Sequence, residues 1–180
     1  MTKTSKPEST PLAKIEAAAE QYGLRSFDNY AQIRSVAERL RDGLCEHLDP
    51  GGKCVFLVPP QGAFGPQNFG SGAFSVSGQG FLPLEPISFG LSVKVSSSGD
   101  YMRLVVNARK EGDRIFLRVE NSLHIELDLP IEKEKLEPVF VQLTDYLQSW
   151  FQNRIDHYDE GDYGGTDIGF DIQRADIAET

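Results

Sequence analysis

Apolar residues recur at spacings of three and four in three stretches of the chain, and this period predicts three helices. The first covers residues 11–23, where a proline follows a serine–threonine pair that can cap a helix, and a glycine follows the last apolar turn. The second covers residues 29–48 and ends at the sequence Asp-Pro-Gly-Gly, which cannot continue a helix. The third covers residues 133–157. Helices are therefore expected at both ends of the chain.

Between the helices the period changes to two, which is typical of strands with one buried face. An unbroken apolar run at residues 54–58 is followed by alternating segments at 87–95, 101–110, 114–120 and 123–129, which turn residues separate. The pattern predicts an α+β fold, an antiparallel sheet of four to six strands with the N-terminal and C-terminal helices packed on one face. The predicted opposite face is mostly polar and carries Arg103, Asn107, Arg109, Arg114, Phe116, Arg118, His124, Glu126 and Asp128.

The length of 180 residues, with 39% apolar and 25% charged residues, suffices for one hydrophobic core. A single domain is therefore expected over residues 11–155. Residues 1–10 are polar and without period, so we expect them to be disordered. Residues 156–180 form an acidic C-terminal tail in which 166–173 alternate like an edge strand or a docked extended arm. The apolar positions of that arm are Ile168, Phe170 and Ile172.

The net charge of −9 is concentrated in this tail. From residue 156 onward eight acidic residues accompany one arginine, a net of −7, which leaves −2 for the preceding 155 residues. Nucleic acid is not an expected partner, because its binding requires a basic surface. No apolar run approaches the roughly 18 to 20 residues of a membrane span, so the chain is expected to be cytoplasmic and free of membrane. Cys45 and Cys54 are expected to be separate small core residues in a reducing compartment, not a disulfide framework.

Residues 59–80 contain six glycines and three phenylalanines, a composition that suits neither a long helix nor a long strand. The segment lacks the lysine and hydroxyl residue of a phosphate-binding loop, and Ser75 stands where a dinucleotide-binding loop needs its third glycine. Its backbone amides could still form an anion-binding nest. We favour a turn-rich connection that its phenylalanines anchor on the core; the alternative is one wall of a ligand pocket. The candidate ligand contacts are Gln61, Phe64, Gln67, Asn68, Phe69 and Ser71.

The histidines and acidic residues form no complete catalytic or metal-binding pattern. His47 and His157 fall near predicted helix ends, where an imidazolium interacts favourably with free carbonyl groups. His124 alternates with Glu126 and Asp128 on the charged sheet face, so a carboxylate could orient it, but no nucleophile motif accompanies it. No metal site is predicted, since the acidic tail matches a calcium-binding loop incompletely. The residues nearest to such a loop are Asp156, Asp159, Glu160 and Asp162.

These patterns lean against an enzyme and imply no cofactor. They favour a non-enzymatic protein that binds another protein, as an adaptor or chaperone does, or that associates with itself. Small acidic α+β proteins with helices flanking a sheet include secretion chaperones, a likeness at the level of fold class alone. The alternative is a small-ligand-binding protein or an enzyme with a pocket between residues 59–80 and the sheet. The expected partner contacts are Phe116, His124, Ile168, Phe170 and Ile172.

Overall fold

The first helix is longer than the sequence pattern predicts. Helix α1 runs without a break from Pro11 to Leu48. The hydroxyl of Thr10 caps it by accepting a hydrogen bond from the Ala13 amide at 3.2 Å. The predicted interruption at Gly23 is wrong, because a glycine inside a helix costs only about 1 kcal/mol relative to alanine.

Five strands form an antiparallel meander in the order β1-β2-β3-β4-β5. The computed structural model describes residues 9–162 and 172–173. A two-residue strand β6, Ile172–Gln173, pairs antiparallel with Tyr101 and Met102 of β3. The predicted α+β fold with an antiparallel sheet is confirmed. The strands of the meander are β1 Val55–Val58, β2 Ile87–Lys94, β3 Tyr101–Glu111, β4 Arg114–Val119 and β5 Leu123–Asp128.

Both helices lie on one face of this sheet, as the alternation of apolar residues predicts. Helix α1 contacts β1, β2 and β3, and helix α2, Lys133–Asp159, contacts α1 and β5. The helices cross closely at Gly43, where a Cβ atom would overlap the ring of Phe140. One hydrophobic core results, formed by the inward residues of the strands and the buried stripe of each helix.

Only part of the predicted C-terminal arm lies within the described residues. Ile172 belongs to β6, and its side chain is about half exposed. The predicted partner contacts Ile168 and Phe170 lie outside the described residues. Neither α1 nor α2 contains an 18-residue stretch that is apolar enough to cross a bilayer, within the part of the chain that the structure describes.

The two cysteines are bonded to each other, which corrects the expectation of separate core residues. A disulfide joins Cys45, in the last turn of α1, to Cys54, directly before β1, with 5.4 Å between the Cα atoms. Both residues are buried, as expected. The bond ties the end of α1 to the start of the edge strand.

Replacing both cysteines with serine is expected to lower the free energy of unfolding by about 2 to 3 kcal/mol, since the bond closes a loop of about ten residues in the unfolded chain. Titration of the unfolded, never-reduced protein with a thiol reagent should find no free thiol. Two free thiols in that experiment would show that the cysteines are unbonded. Because disulfides are rare in reducing compartments, the same titration bears on the predicted cytoplasmic location.

Candidate functional site: an open groove on the outer sheet face

The crossing segment, residues 59–64, follows β1 and passes over the outer face of the sheet, opposite the helices. Arg103 of β3 projects from that face, and its Nη1 donates hydrogen bonds to the carbonyl oxygens of Pro59 at 3.1 Å and Gly62 at 2.8 Å. The ring of Phe64 lies on the same guanidinium, with 4.5 Å from Cζ to the ring centroid. Arg103 and Phe64 are both buried. The expectation that Arg103 belongs to an open charged face is therefore wrong, since this side chain fastens the crossing segment to the sheet.

The close approach of this segment depends on Gly90 of β2. A Cβ atom at this position would lie 2.9 Å from the carbonyl oxygen of Pro59 and 2.9 Å from Cγ2 of Val58. Both distances are shorter than ordinary van der Waals contact. A glycine at position 90 is therefore required for the crossing segment to pass this close to the backbone of β2.

The chain next covers the free edge of β1. The Leu57 amide donates to Oδ1 of Asn68 at 2.9 Å, and the Phe69 amide donates to the Leu57 carbonyl at 2.9 Å. The short 3-10 helix Gly70–Ala73 follows. These bonds satisfy backbone groups that an edge strand would otherwise leave unpaired.

After the 3-10 helix, the chain returns to the core through Phe74. This ring is buried, 5.7 Å from the ring of Phe89 in β2 and 5.5 Å from the ring of Tyr30 in α1. The neighbouring Ser75 amide donates to the Ser88 carbonyl at 2.8 Å, which extends the sheet edge beyond the end of β1. Residues 59–80 thus form a connection anchored by buried phenylalanines, in line with the favoured interpretation.

Beside the crossing segment, the rest of the outer face forms an open groove. It consists of two depressions of about 580 Å³ and 540 Å³ that share Asn107 and Arg118 as lining residues. A row of polar side chains makes the floor, one from each of four neighbouring strands. The row consists of Ser88, Asn107, Arg118 and His124, which are cross-strand neighbours in register. Gln61 contributes to the wall formed by the crossing segment.

Arg118 lines both depressions and brings a positive charge into the groove. Its side chain is exposed, and it makes no hydrogen bond, ion pair or ring contact within the described part of the chain. Neither nearby carboxylate pairs with it: Glu120 accepts a hydrogen bond from the Val105 amide at 2.6 Å, and Glu126 accepts one from Arg114 at 2.6 Å. The guanidinium of Arg118 is thus available to an external anionic group.

The next row of the outer face adds an apolar surface. Arg109 of β3 lies opposite Phe116 of β4, with 5.0 Å from its Cζ to the ring centroid. The guanidinium of Arg109 also forms an ion pair with Glu111 at 3.1 Å, and both side chains are about half exposed. Because Phe116 is half-buried and lines the second depression, its ring offers an apolar contact two residues from Arg118.

The six predicted ligand contacts have different positions in the structure, and only one of them lines the groove. Gln61 lines the groove, while Phe64, Asn68 and Phe69 hold the segment in place. Gln67 and Ser71 line neither depression.

Two predicted partner contacts, Phe116 and His124, do lie in the groove. Sequence reasoning placed Asn107 and Arg118 on this face without assigning them to a site. The hairpin turns after Glu111 and Val119 set the strand register, and this register is the signal that could have aligned both residues with His124.

His124 does not form the pair with a carboxylate that its alternation with Glu126 and Asp128 would allow. Glu126 is bound by Arg114, and Asp128 lies 3.5 Å from both Arg114 Nε and Lys135 Nζ. The arrangement gives His124 no oriented partner within the described residues, so it is a polar member of the groove floor.

The other histidines and the acidic tail form no centre of their own. His157 Nδ1 lies 2.6 Å from the Asn153 carbonyl oxygen one turn earlier in α2, and His47 Nδ1 lies 3.1 Å from Oε1 of Glu137. No group of three or more His, Cys, Asp or Glu side chains is placed to hold a metal ion among residues 9–162 and 172–173. The acidic candidates Asp156, Asp159, Glu160 and Asp162 lie at the end of α2.

The groove therefore combines an open polar floor, an available guanidinium and a half-buried aromatic ring. These groups can bind the main chain and side chains of another molecule through hydrogen bonds, one ion pair and apolar contact. No family model matches the chain, and neither a curated protein nor a solved structure shows detectable similarity to it.

Proposed function

We propose that this chain is a non-enzymatic binding protein that holds an extended segment of a partner protein in the groove on its outer sheet face. The observation that carries the proposal is the four-strand polar row with the available guanidinium of Arg118 within it. Arginine and aromatic side chains are enriched where proteins bind each other, and Phe116 supplies the aromatic group beside this row.

The dimensions of the groove support a chain segment. The row from Ser88 to His124 crosses three interstrand spacings, or about 14 Å. An extended peptide advances about 3.3 Å per residue, so about four residues span the floor. Small ligands are held mostly in enclosed apolar pockets. An open polar groove suits them less well, which ranks the small-ligand alternative second.

The chemistry of the lining supports a segment with an acidic residue. A guanidinium can make two parallel hydrogen bonds with a carboxylate, and such pairs are stronger than bonds between neutral groups. The amides of Asn107 and Gln61 can bond to the main chain of the segment. The ring of Phe116 suits an apolar side chain next to the acidic one.

A random peptide library displayed on phage is expected to yield binders that contain an acidic residue beside an apolar one. Replacing Arg118 with glutamate should weaken binding of a selected synthetic peptide by about 10-fold or more, because a hydrogen bond to a charged group contributes about 1.5 to 3 kcal/mol. Fluorescence anisotropy of the labelled peptide measures the change. Lys133→Glu is the control with the same change in charge, since Lys133 is an exposed cation in the first turn of α2, a helix on the opposite face of the sheet from the groove.

Equal binding by wild-type protein and Arg118→Glu would place the peptide outside the groove. Equal weakening by Lys133→Glu would show that the effect comes from the change in net charge alone. If the library yields no binder and a small organic anion protects the groove residues in amide-exchange or chemical-shift experiments, the small-ligand alternative replaces the proposal.

A further inference from the structure

The N-terminal half of α1 carries an apolar stripe that is open to solvent. The stripe consists of Leu12, Ile15, Ala19 and Tyr22, whose spacings of three, four and three place them on one helix face. None of residues 11–25 is buried. Leu12 is 62% exposed and Ile15 is 66% exposed.

The stripe continues the helix face that forms the protein's own core. Ile15 and Ala19 precede the core residues Ile33 and Ala37 by five full turns at 3.6 residues per turn. From Ser26 onward this face is buried against the sheet. Before Ser26 the sheet no longer covers this face, although the Tyr22 hydroxyl accepts a hydrogen bond from the Leu84 amide at 3.1 Å. The most open part of the stripe is therefore Leu12, Ile15 and Ala19, and an exposed apolar patch of this kind marks an interaction surface.

We propose that a second copy of this chain covers the stripe through an antiparallel pairing of the two α1 helices. The charges of residues 11–25 favour this occupant, since Lys14 and Arg25 balance Glu16 and Glu20. The segment is therefore neutral, although the whole chain carries a net charge of −9. Two copies can meet at this segment without the repulsion that their overall charge would otherwise cause.

The stripe is also complementary in shape to a reversed copy of itself. In an antiparallel register, Ile15 faces Ala19 of the second copy, so a large side chain meets a small one. Leu12 of one copy then meets Tyr22 of the other. The ring of Tyr22 is stacked on Phe81 with 5.1 Å between the centroids, which enlarges the apolar surface at that point.

A parallel pairing is excluded by the position of the sheet. The sheet packs on the same face of α1 from Ser26 onward, so two parallel helices with facing stripes would force both sheets into the space between them. An antiparallel pairing confined to residues 11–25 places the sheets at opposite ends. The overlap is about 22 Å long, or four helical turns.

Sedimentation equilibrium of the full chain between about 1 and 200 µM should detect a monomer–dimer equilibrium. Ile15→Glu is expected to raise the dimer dissociation constant by about 100-fold or more, because it buries a carboxylate at two symmetric positions. Leu24→Glu is the matched control. Leu24 is 61% exposed on the same helix but lies two and a half turns from Ile15, on the opposite face, so this variant should dimerise like the wild type.

A wild-type chain that stays monomeric over the whole range overturns the proposal, as does equal dissociation by Leu24→Glu. Far-UV circular dichroism shows whether each variant is folded. Should Ile15→Glu fail to fold, Ala19→Glu tests the middle of the same stripe. A dimer that survives Ala19→Glu also overturns the proposal.

Discussion

Replacing Arg103 with methionine is expected to lower the free energy of unfolding by about 3 kcal/mol, because the carbonyl oxygens of Pro59 and Gly62 lose a charged donor in a buried site. The variant also loses the contact between the guanidinium and Phe64. Methionine keeps most of the side-chain volume, so the loss reports the polar and cation–ring contacts more than a cavity. Urea denaturation followed by circular dichroism measures the change.

Arg109→Met is the matched control for this variant. Arg109 occupies the same strand and the same face and also lies on an aromatic ring, that of Phe116, but it is exposed and pairs with an exposed carboxylate, Glu111. Its replacement should change stability by about 1 kcal/mol at most, because exposed ion pairs and exposed cation–ring contacts contribute little. Equal losses for the two variants would show that burial of Arg103 under the crossing segment contributes nothing to stability.

Replacing Gly90 with alanine is expected to cost about 2 kcal/mol, although alanine is intrinsically better than glycine in a strand. The added methyl group would meet the carbonyl oxygen of Pro59 at 2.9 Å and Cγ2 of Val58 at the same distance. The oxygen belongs to the backbone of the crossing segment, so the segment must move away from the sheet. Because Arg103 binds the same carbonyl oxygen, this movement also weakens the Arg103 contact.

Gly23→Ala tests the same chemical change in the opposite sense. Apart from its chain neighbours and the nearby backbone of α1, no atom of the described residues lies within 4 Å of a Cβ built at Gly23. Alanine at this position should raise the stability by about 0.5 to 1 kcal/mol, because it restricts the unfolded chain and favours the helix. The midpoints of thermal unfolding should therefore move in opposite directions for the two variants. A gain for Gly90→Ala would mean that the crossing segment does not press on β2.

Part of the groove is predictable from the amino-acid sequence, because strands with period two divide their residues between two faces. Leu104 and Val106 point into the core, and Asn107 points to the outer face, as alternation requires. Residues 11–23 show the limit of such reasoning. A local stop signal at Gly23 predicted two helices, whereas the cost of one glycine is small beside the packing that holds the rest of α1 in place.

Arg103 and Arg109 show why the site itself could not be predicted. They stand six positions apart on the same face of one strand, and alternation treats them alike. One is buried and the other is exposed, because residues 59–64 pass over Arg103 and leave Arg109 open. The cysteines are a second example of a contact that local sequence does not show, since their separation of nine residues does not reveal that their Cα atoms lie 5.4 Å apart.

The sequence by itself determined the secondary-structure class, the presence of helices at both ends of the chain and the side of the sheet to which the residues of the alternating strands turn. Those properties follow from the period of apolar residues, which is local information. Only the tertiary structure decided which part of the outer face stays open and which charge on it has no partner among the described residues. Both depend on the path of residues 59–80, whose glycine-rich backbone permits many paths until contacts across more than forty positions, such as Arg103 with Pro59, select one.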